Sequence, residues 1–286
     1  MKRKAFDTEG YALVTGAWSG MGREYARQLY ALGHNLIVID INQRYADEVR
    51  EELESREVSP SGRRPDVLAI GVDLSHVGAV NVIEEKVGER RVDILINNAG
   101  VMYYSDFLDY SQQEVSRFMV LHNFTPVQLC HLFVRGMKER GYGYVLNISS
   151  LSGGPPYPGL SVYAAAKRFI KYFSRSLRVE LMGSGVSVTT ACFGAVSTNL
   201  FPLRESLRKL SIRLGIMITA EKAARKALKA TFRGRAIVMP GLINWIMGPL
   251  LPFVPNRLLH FLDKKYCGKF KFKNEVLDQA EDYLLY

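Results

Sequence analysis

Short apolar runs alternate with longer amphipathic segments along most of the chain. The runs are rich in Val, Ile and Leu and end at Gly, Asn or Asp, a pattern typical of strands buried on both faces. The longer segments repeat apolar positions three and four residues apart, as helices that cover a sheet do. Predicted strands occupy residues 11–14, 35–39, 67–72, 93–97, 144–148, 186–192 and 236–239, and predicted helices occupy residues 23–32, 43–56, 77–88, 112–136, 163–182 and 220–232.

This alternation predicts an α/β fold with a doubly wound, mostly parallel sheet between two layers of helices. We find no linker, short repeat or low-complexity segment that would divide the pattern, so we predict a single domain over residues 1–286. The periodicity changes after Val196. We expect residues 199–218 to form a lid over a substrate site and residues 240–286 to form a C-terminal apolar extension.

Composition and charge limit the classes of function that the chain could have. The 286 residues are 48% hydrophobic and 23% charged, which suits a folded enzyme, and the net charge is +10. The basic residues are dispersed or lie near the chain ends, without a nucleic-acid-binding motif, so we expect no nucleic acid. An anionic membrane surface and acidic ligands such as a dinucleotide both stay consistent with the charge. Polar residues before the first strand leave no room for a signal peptide, and we predict a cytoplasmic protein.

The cysteines indicate neither a disulfide framework nor a metal site. Cys130, Cys192 and Cys267 are odd in number and far apart in the sequence. Zinc sites need closely spaced sulfur or imidazole ligands, so no metal is expected.

A Gly-rich turn, Thr15-Gly-Ala-Trp-Ser-Gly-Met-Gly22, joins the first predicted strand to the first helix. Its glycines allow a tight turn and close approach of a pyrophosphate to the helix N-terminus, which favours anions. Asp40 ends the next strand, where it would accept hydrogen bonds from an adenosine ribose and repel a 2′-phosphate. The sequence therefore predicts NAD as cofactor, with NADP kept open by the nearby Arg44.

Tyr163 and Lys167 lie at positions i and i+4 of a predicted helix and so share one face. A nearby ammonium group favours the phenolate form of a tyrosine, which suits acid/base chemistry. Ser150 follows a predicted strand, at the carboxyl edge where open α/β sheets bind ligands.

Together these motifs resemble those of the short-chain dehydrogenase/reductase family, with its Rossmann-type fold. The resemblance covers residues 11 to about 198 and implies a hydroxysteroid-dehydrogenase-like member. It depends on the Gly-rich turn, Asp73, the Asn97-Asn-Ala-Gly100 segment, Asn123, the Ser149-Ser150 pair and Tyr163-Ala-Ala-Ala-Lys167.

The resemblance implies a role for each matching residue. Tyr163 would exchange a proton with the substrate, and Lys167 would lower the pKa of Tyr163 and hold the nicotinamide ribose. Ser150 would hydrogen-bond the substrate oxygen, and Asn123 would bind a water of the proton relay. The implied cofactor-binding residues are Gly16, Ser19, Gly20, Met21, Gly22, Asp40, Asp73, Leu74, Asn98, Ala99, Gly100, Tyr163, Lys167, Val196 and Thr198.

The substrate side departs from the family pattern at one position, where Phe193 replaces a proline. The stiff apolar segment 151–162 and the apolar lid predict a bulky hydrophobic secondary alcohol or ketone, such as a hydroxysteroid or bile acid. The expected substrate residues are Ser150, Tyr157, Tyr163 and Phe193. Two alternatives stay open: a 3-oxoacyl-thioester reductase, and a non-catalytic dinucleotide-binding sensor.

The C-terminal extension opens with an uncharged stretch over residues 236–256. Its prolines and glycines argue against a membrane-spanning helix. A lid over the cleft, a subunit contact and a peripheral membrane contact are all consistent with it. The family resemblance also implies a homodimer or homotetramer, paired through the helices that contain Asn123 and Tyr163.

Overall fold

The computed structural model describes residues 8–56, 64–154, 157–198, 205–240 and 254–267. Its main element is a seven-stranded parallel sheet with the strand order β3-β2-β1-β4-β5-β6-β9. The strands are β1 (Tyr11–Thr15), β2 (Asn35–Asp40), β3 (Val67–Gly71), β4 (Val92–Asn97), β5 (Gly143–Ser150), β6 (Val186–Phe193) and β9 (Ile237–Val238). The order reverses between β1 and β4, and that switch point is where such sheets bind ligands.

Helices cover both faces of the sheet. They are α1 (Gly20–Ala31), α2 (Gln43–Glu54), α3 (Ala79–Val87), α4 (Gln112–Met119), α5 (Thr125–Arg140), α6 (Ser161–Glu180), α7 (Glu205–Arg213) and α8 (Ala220–Phe232), followed by α9 (Asn256–Leu262). The predicted α/β fold class is confirmed, and the predicted strands and helices agree with the structure to within a few residues at most ends.

Two hydrophobic clusters lie on opposite faces of the sheet. The first joins strand residues such as Leu13 and Val145 to α3, α5 and α6, and it contains Tyr163. The second joins Val14 and Ile148 to α1, α2 and α8. Because side chains alternate along a strand, apolar residues at every position fill both layers.

The structure differs from the sequence prediction in three places. The predicted helix 112–136 is α4 and α5 joined by a π-turn at Val120–Phe124. A separate two-stranded parallel sheet pairs β7 (Ala195–Ser197) with β8 (Met217–Thr219), where a loop and a helix were expected. The predicted strand 144–148 continues to Ser150, so that Ser150 is the last residue of β5.

Only parts of the predicted lid and extension can be described. Residues 199–204 of the lid and most of the extension, including residues 241–253 and 268–286, lie outside the described residues. None of the helices in the described part of the chain combines the length and apolar composition needed to span a bilayer. The described residues also contain no cluster of His, Cys, Asp and Glu side chains suited to a metal ion.

Candidate active site

The Gly-rich turn is held by side chains at the end of β4. Asn98 Nδ2 donates to the carbonyls of Thr15 and Gly16 at 3.0 and 3.2 Å. In return, Thr15 Oγ1 accepts from the backbone N–H of Asn98 and Ala99, each at 3.0 Å. The turn and the β4 loop therefore form one unit at the switch point of the sheet.

Two glycines of this turn have positive φ angles, 65° at Gly16 and 54° at Gly20. A Cβ on Gly20 would lie 3.1 Å from Thr198 Cγ2, so Thr198 lies directly over the turn. A Cβ on Gly22 would overlap the carbonyl of Gly16. The turn is thus a cradle that only glycine leaves open, which fits a pyrophosphate group.

The other residues expected near the turn take different positions. Ser19 is exposed and caps α1 without a side-chain hydrogen bond. Met21 and Val196 are partly buried against the second cluster. The first backbone N–H groups of α1 therefore remain oriented toward an incoming anion.

Asp40 ends β2 beside the turn. Its carboxylate accepts from the backbone N–H of Trp18 and of Ile41, both at 2.8 Å. Burial raises the pKa of Asp40, and the two hydrogen bonds oppose that shift. Asp40 is thus fixed between the Gly-rich turn and the end of β2.

Trp18 and Glu48 lie next to Asp40 on this side of the site, and neither was predicted from the sequence. The Trp18 ring stacks on Tyr45 with centroids 4.1 Å apart, and its Nε1 donates to Glu48 at 2.7 Å. Arg44 also contacts Glu48, at 3.1 Å. A tryptophan inside a Gly-rich turn was the one available signal, because large side chains are unusual there.

Asp73 follows β3, where an adenine contact was expected. One carboxylate oxygen accepts from the Ser75 backbone N–H at 2.8 Å, and the other pairs with Arg117 at 3.1 Å and His76 at 3.3 Å. Leu74 is buried in the first cluster, and its carbonyl accepts from Thr125. Arg117 comes from α4 and was not predicted.

Tyr163 and Lys167 lie on the inner face of α6 and are 7% and 6% exposed. Lys167 Nζ is 5.6 Å from the centre of the Tyr163 ring and donates to the Ile148 carbonyl at 3.1 Å. Ser150, at the end of β5, hydrogen-bonds Tyr163 and accepts from Ser152 Oγ at 2.8 Å. Neighbouring Ser149 is buried and donates to the Lys167 carbonyl at 2.7 Å.

Burial dominates the protonation of this pair. It raises the pKa of Tyr163 to about 12, opposed by the Ser150 hydrogen bond, and it lowers the pKa of Lys167 to about 8. The expected lowering of the Tyr163 pKa by Lys167 is therefore not seen. Desolvation disfavours the charged form of both groups and is the largest cause of both pKa shifts.

The π-turn brings Asn123 to the same region. Asn123 Nδ2 donates to the Ala166 carbonyl of α6 at 3.0 Å, while its buried Oδ1 has no hydrogen-bond partner among the described residues. The neighbouring His122, also missed by the sequence analysis, hydrogen-bonds Val101 after β4. Gly100 lies against the imidazole of His122.

The remaining expected substrate residues are Phe193 and Tyr157. Phe193 is 3% exposed and packs in the second cluster, on the other face of the sheet from Tyr163, so the substrate role predicted for its side chain is wrong. The alternating side chains of β6 leave only its carbonyl near Ser150. Tyr157 lines a cleft of about 620 Å³ with residues from the 153–158 loop, α6 and α9, and Ser150 and Tyr163 are not among them.

The fold and site together define a dinucleotide-binding α/β protein with a buried tyrosine–lysine pair. The family model for short chain dehydrogenases matches residues 10–207. The chain therefore belongs to the short-chain dehydrogenase family of oxidoreductases, as the sequence predicted.

Three known proteins illustrate the similarity. The very-long-chain 3-oxoacyl-CoA reductase-A of Danio rerio is 32% identical over 199 residues, which cover 68% of this chain and 60% of that protein. A short-chain dehydrogenase from Sphingobium yanoikuyae in complex with NADPH is 26% identical, with a TM-score of 0.71 over 83% of this chain and 91% of that chain. The bulky-bulky ketone specific alcohol dehydrogenase from Comamonas testosteroni is 25% identical, with a TM-score of 0.69 over 92% and 94%. The chain thus matches about three fifths of the length of the Danio relative.

Proposed function

We propose that the protein transfers a hydride between a nicotinamide cofactor and a bulky hydrophobic secondary alcohol or ketone. The observation that carries this proposal is the convergence of Ser150, Tyr163 and Lys167 at the carboxyl edge of the sheet, next to the glycine cradle. A non-catalytic sensor would need the cradle but not this set of side chains. The cofactor, when bound, supplies or accepts the hydride.

The chain's own residues divide the remaining work. Ser150 donates a hydrogen bond to the substrate oxygen, and Tyr163 transfers the proton to or from it. With a pKa near 12 the phenol is protonated at neutral pH, the form that donates a proton during ketone reduction. Lys167 and the nearby Asn98, Ala99 and Gly100 hold the nicotinamide half of the cofactor, while Asp73 and Leu74 border its adenine half.

Asn123 has a positioning role in this proposal. Its hydrogen bond to the Ala166 carbonyl ties the π-turn to α6 next to Lys167. The water expected at Asn123 stays a prediction.

Replacing Tyr163 with Phe tests the chemistry. Turnover should fall at least about 100-fold because the acid/base group is lost, while NADH binding stays close to that of the parent protein. Tyr172→Phe, on the same helix but exposed, is the matched control and should keep full turnover. Near-normal turnover of Tyr163→Phe would contradict the proposal.

The substrate class rests on two supports. The described part of the lid, in and after α7, exposes Leu207, Leu210, Leu214 and Ile216, an apolar surface suited to a hydrophobic substrate. The similar enzyme from Comamonas testosteroni acts on bulky ketones, as its name states. Within this class, we propose a hydroxysteroid or bile acid as the first candidate substrate.

A 3-oxoacyl thioester is the second candidate, favoured by the similarity to the Danio 3-oxoacyl-CoA reductase. The two candidates separate in a turnover assay that follows nicotinamide absorbance. The panel comprises oxosteroids, oxo bile acids, long-chain ketones and 3-oxoacyl-CoA thioesters, each with NADH and NADPH. Preference for the thioesters would replace the first candidate with the second.

For the cofactor we propose NAD over NADP. Two carboxylates, Asp40 and Glu48, lie beside the place of the adenosine ribose, and Glu48 holds Arg44, the cation closest in sequence. A 2′-phosphate would be repelled there.

We also propose a homodimer or homotetramer in the cytoplasm. An apolar groove of about 340 Å³ between α4, α5 and α6 is lined by Val77, Met119, Val120, Asn123, Phe124, Val127 and Phe169.

For the C-terminal extension we propose peripheral membrane contact, supported by exposed Leu258 and Phe261 beside Lys264 and Lys265. Sedimentation of the full chain with anionic phosphatidylserine vesicles tests this contact.

A further inference from the structure

We propose that His122 is a positioning residue that supports the cofactor-binding loop with its N–H group and the Tyr163 ring with its imidazole plane. The inference rests on the proposed function, since the loop and Tyr163 matter through it. His122 belongs to no motif in the sequence, and only the fold brings it close to Tyr163 and the loop after β4.

The π-turn sets the direction of this side chain. Leu121, His122 and Asn123 are consecutive in the sequence and all are buried, which the wider π-turn allows. Asn123 reaches across to α6, whereas His122 reaches the end of β4. Two neighbouring residues thus connect the π-turn both to α6, which carries Tyr163 and Lys167, and to the loop after β4.

The contacts of His122 with the β4 loop are close. Its Nε2 is 2.9 Å from the Val101 carbonyl oxygen and 3.2 Å from the Val101 nitrogen. A Cβ on Gly100 would lie 2.6 Å from His122 Cε1, so the loop fits the ring only because residue 100 is glycine. Since Asn98 and Ala99 continue this loop to the Gly-rich turn, a shift at Val101 would move the cradle.

The ring also contacts the residue proposed to transfer the proton. The His122 and Tyr163 rings meet edge to face with centroids 5.8 Å apart, and Phe118 stacks on His122 at 4.2 Å. Phe118 meets Tyr163 as well, at 6.3 Å. The three rings form one cluster that fixes the plane of the phenol.

His122 acts in the neutral state. Burial, together with the positive charge of Lys167, holds its pKa well below the usual value, against the opposing hydrogen bond to Val101. In the tautomer that carries the proton on Nε2, the neutral ring donates to the Val101 carbonyl, and its buried Nδ1 has no partner among the described residues. Its contribution is therefore contact and hydrogen bonding, not proton transfer.

Two substitutions separate the two contacts. His122→Phe keeps an aromatic ring and removes the N–H, whereas His122→Gln places an amide nitrogen near the position of Nε2 and removes the ring. We expect His122→Phe to weaken NADH binding about tenfold with kcat at saturating cofactor nearly unchanged. We expect His122→Gln to keep near-normal NADH binding and to lower kcat severalfold. His131→Phe, exposed on α5, is the control.

Amide hydrogen exchange in residues 98–103 gives a readout that needs no cofactor. Exchange should be faster in His122→Phe and close to normal in His122→Gln. The inference is overturned if both variants lower only the thermal midpoint and leave exchange, NADH affinity and kcat unchanged, or if His122→Gln loses NADH affinity as His122→Phe does. Failure of the unmodified protein to bind NADH would overturn the proposed function instead, and the exchange comparison would still decide the role of His122.

Discussion

At the scale of single residues, burial in the site disfavours charged side chains. Tyr163 and Lys167 are both buried, and desolvation moves their pKa values apart, to about 12 and about 8. A buried ammonium group without a carboxylate partner destabilises the folded protein, as functional groups held away from water commonly do. This cost can be measured.

Lys167→Met should make the protein inactive but more stable at pH 7. The pKa of Lys167 falls from 10.5 to about 8 on folding, so its charged form is penalised below pH 8 and the penalty disappears between pH 8 and 10.5. This penalty lowers the free energy of unfolding by about 3 kcal/mol. Lys167→Met removes the penalty but also removes the hydrogen bond to the Ile148 carbonyl, which offsets about 1 kcal/mol of the gain in stability.

Urea unfolding at pH 7 and pH 10 tests this prediction. The advantage of Lys167→Met should be about 2 kcal/mol at pH 7 and should vanish by pH 10. Lys226→Met, at an exposed position of α8, should show no such dependence on pH. A Lys167→Met protein less stable than its parent at pH 7 would contradict the account.

Cofactor preference also belongs to this scale. Asp40→Asn keeps an oxygen acceptor for the Trp18 N–H, and Glu48→Gln keeps one for the Trp18 ring, while both remove negative charge. The double variant should bind NADPH at least about tenfold more tightly than the parent does. Glu221→Gln, exposed on α8, is the control. Titrations of intrinsic fluorescence give the dissociation constants, and a parent that prefers NADPH would contradict the proposal.

The sequence predicted the positions of single residues where these positions follow from local spacing. Tyr163 and Lys167 are one helical turn apart, and Ser150 ends a strand. Trp18, Arg117 and His122 were missed because their partners are far away in the sequence, and Phe193 was misplaced because the alternation of β6 decides which layer it enters. Contacts across the fold leave little trace in one sequence.

At the scale of elements, the turn between β1 and α1 is the least tolerant part of the site. Gly22 lies in the first turn of α1 against the Gly16 carbonyl, so a methyl group there would force the turn open. Gly78, just before α3, has nothing within 4 Å of the corresponding position among the described residues.

Gly22→Ala and Gly78→Ala therefore form a matched pair. Gly22→Ala should weaken NADH binding at least about tenfold, since the pyrophosphate cradle is displaced. Gly78→Ala should bind NADH normally and gain up to about 1 kcal/mol of stability by restricting the unfolded chain. Calorimetric titration and urea unfolding measure the two effects, and equal NADH affinities would refute the assignment of the cradle.

The sequence predicted elements whose pattern is long and regular. The central strands are continuous apolar runs, so six of them were found close to their true ends. The π-turn at Val120–Phe124 was missed because one inserted residue hardly disturbs a helical pattern. The strands Ala195–Ser197 and Met217–Thr219 are too short to show alternation.

At the scale of the whole molecule, an apolar face remains open on α5 and α6. Phe124 and Phe169 are 43% and 48% exposed at the groove, and Phe169 stacks on Phe173. Exposed aromatic side chains clustered in this way are typical of subunit contacts.

Phe169→Glu should convert the proposed oligomer into a smaller species, because a carboxylate would be desolvated at the contact. Leu32→Glu, which changes an exposed apolar residue at the end of α1, should leave the assembly unchanged. Light scattering after size-exclusion chromatography gives the molar mass. A parent protein that is monomeric, or a Phe169→Glu variant of unchanged mass, would contradict the proposed assembly.

The position of α8 has a consequence for how the protein is made. Gln28 of α1 donates to the carbonyl of Glu221, 193 residues later, and α8 covers the second cluster next to α1. At about 5–20 residues per second, a ribosome needs about 10–40 s to make the intervening chain. During that time the apolar side of α1 has no cover from α8, and it is still uncovered when the last residue of the segment that matches the family model has been translated. The nascent chain is therefore expected to depend on chaperones until α8 emerges.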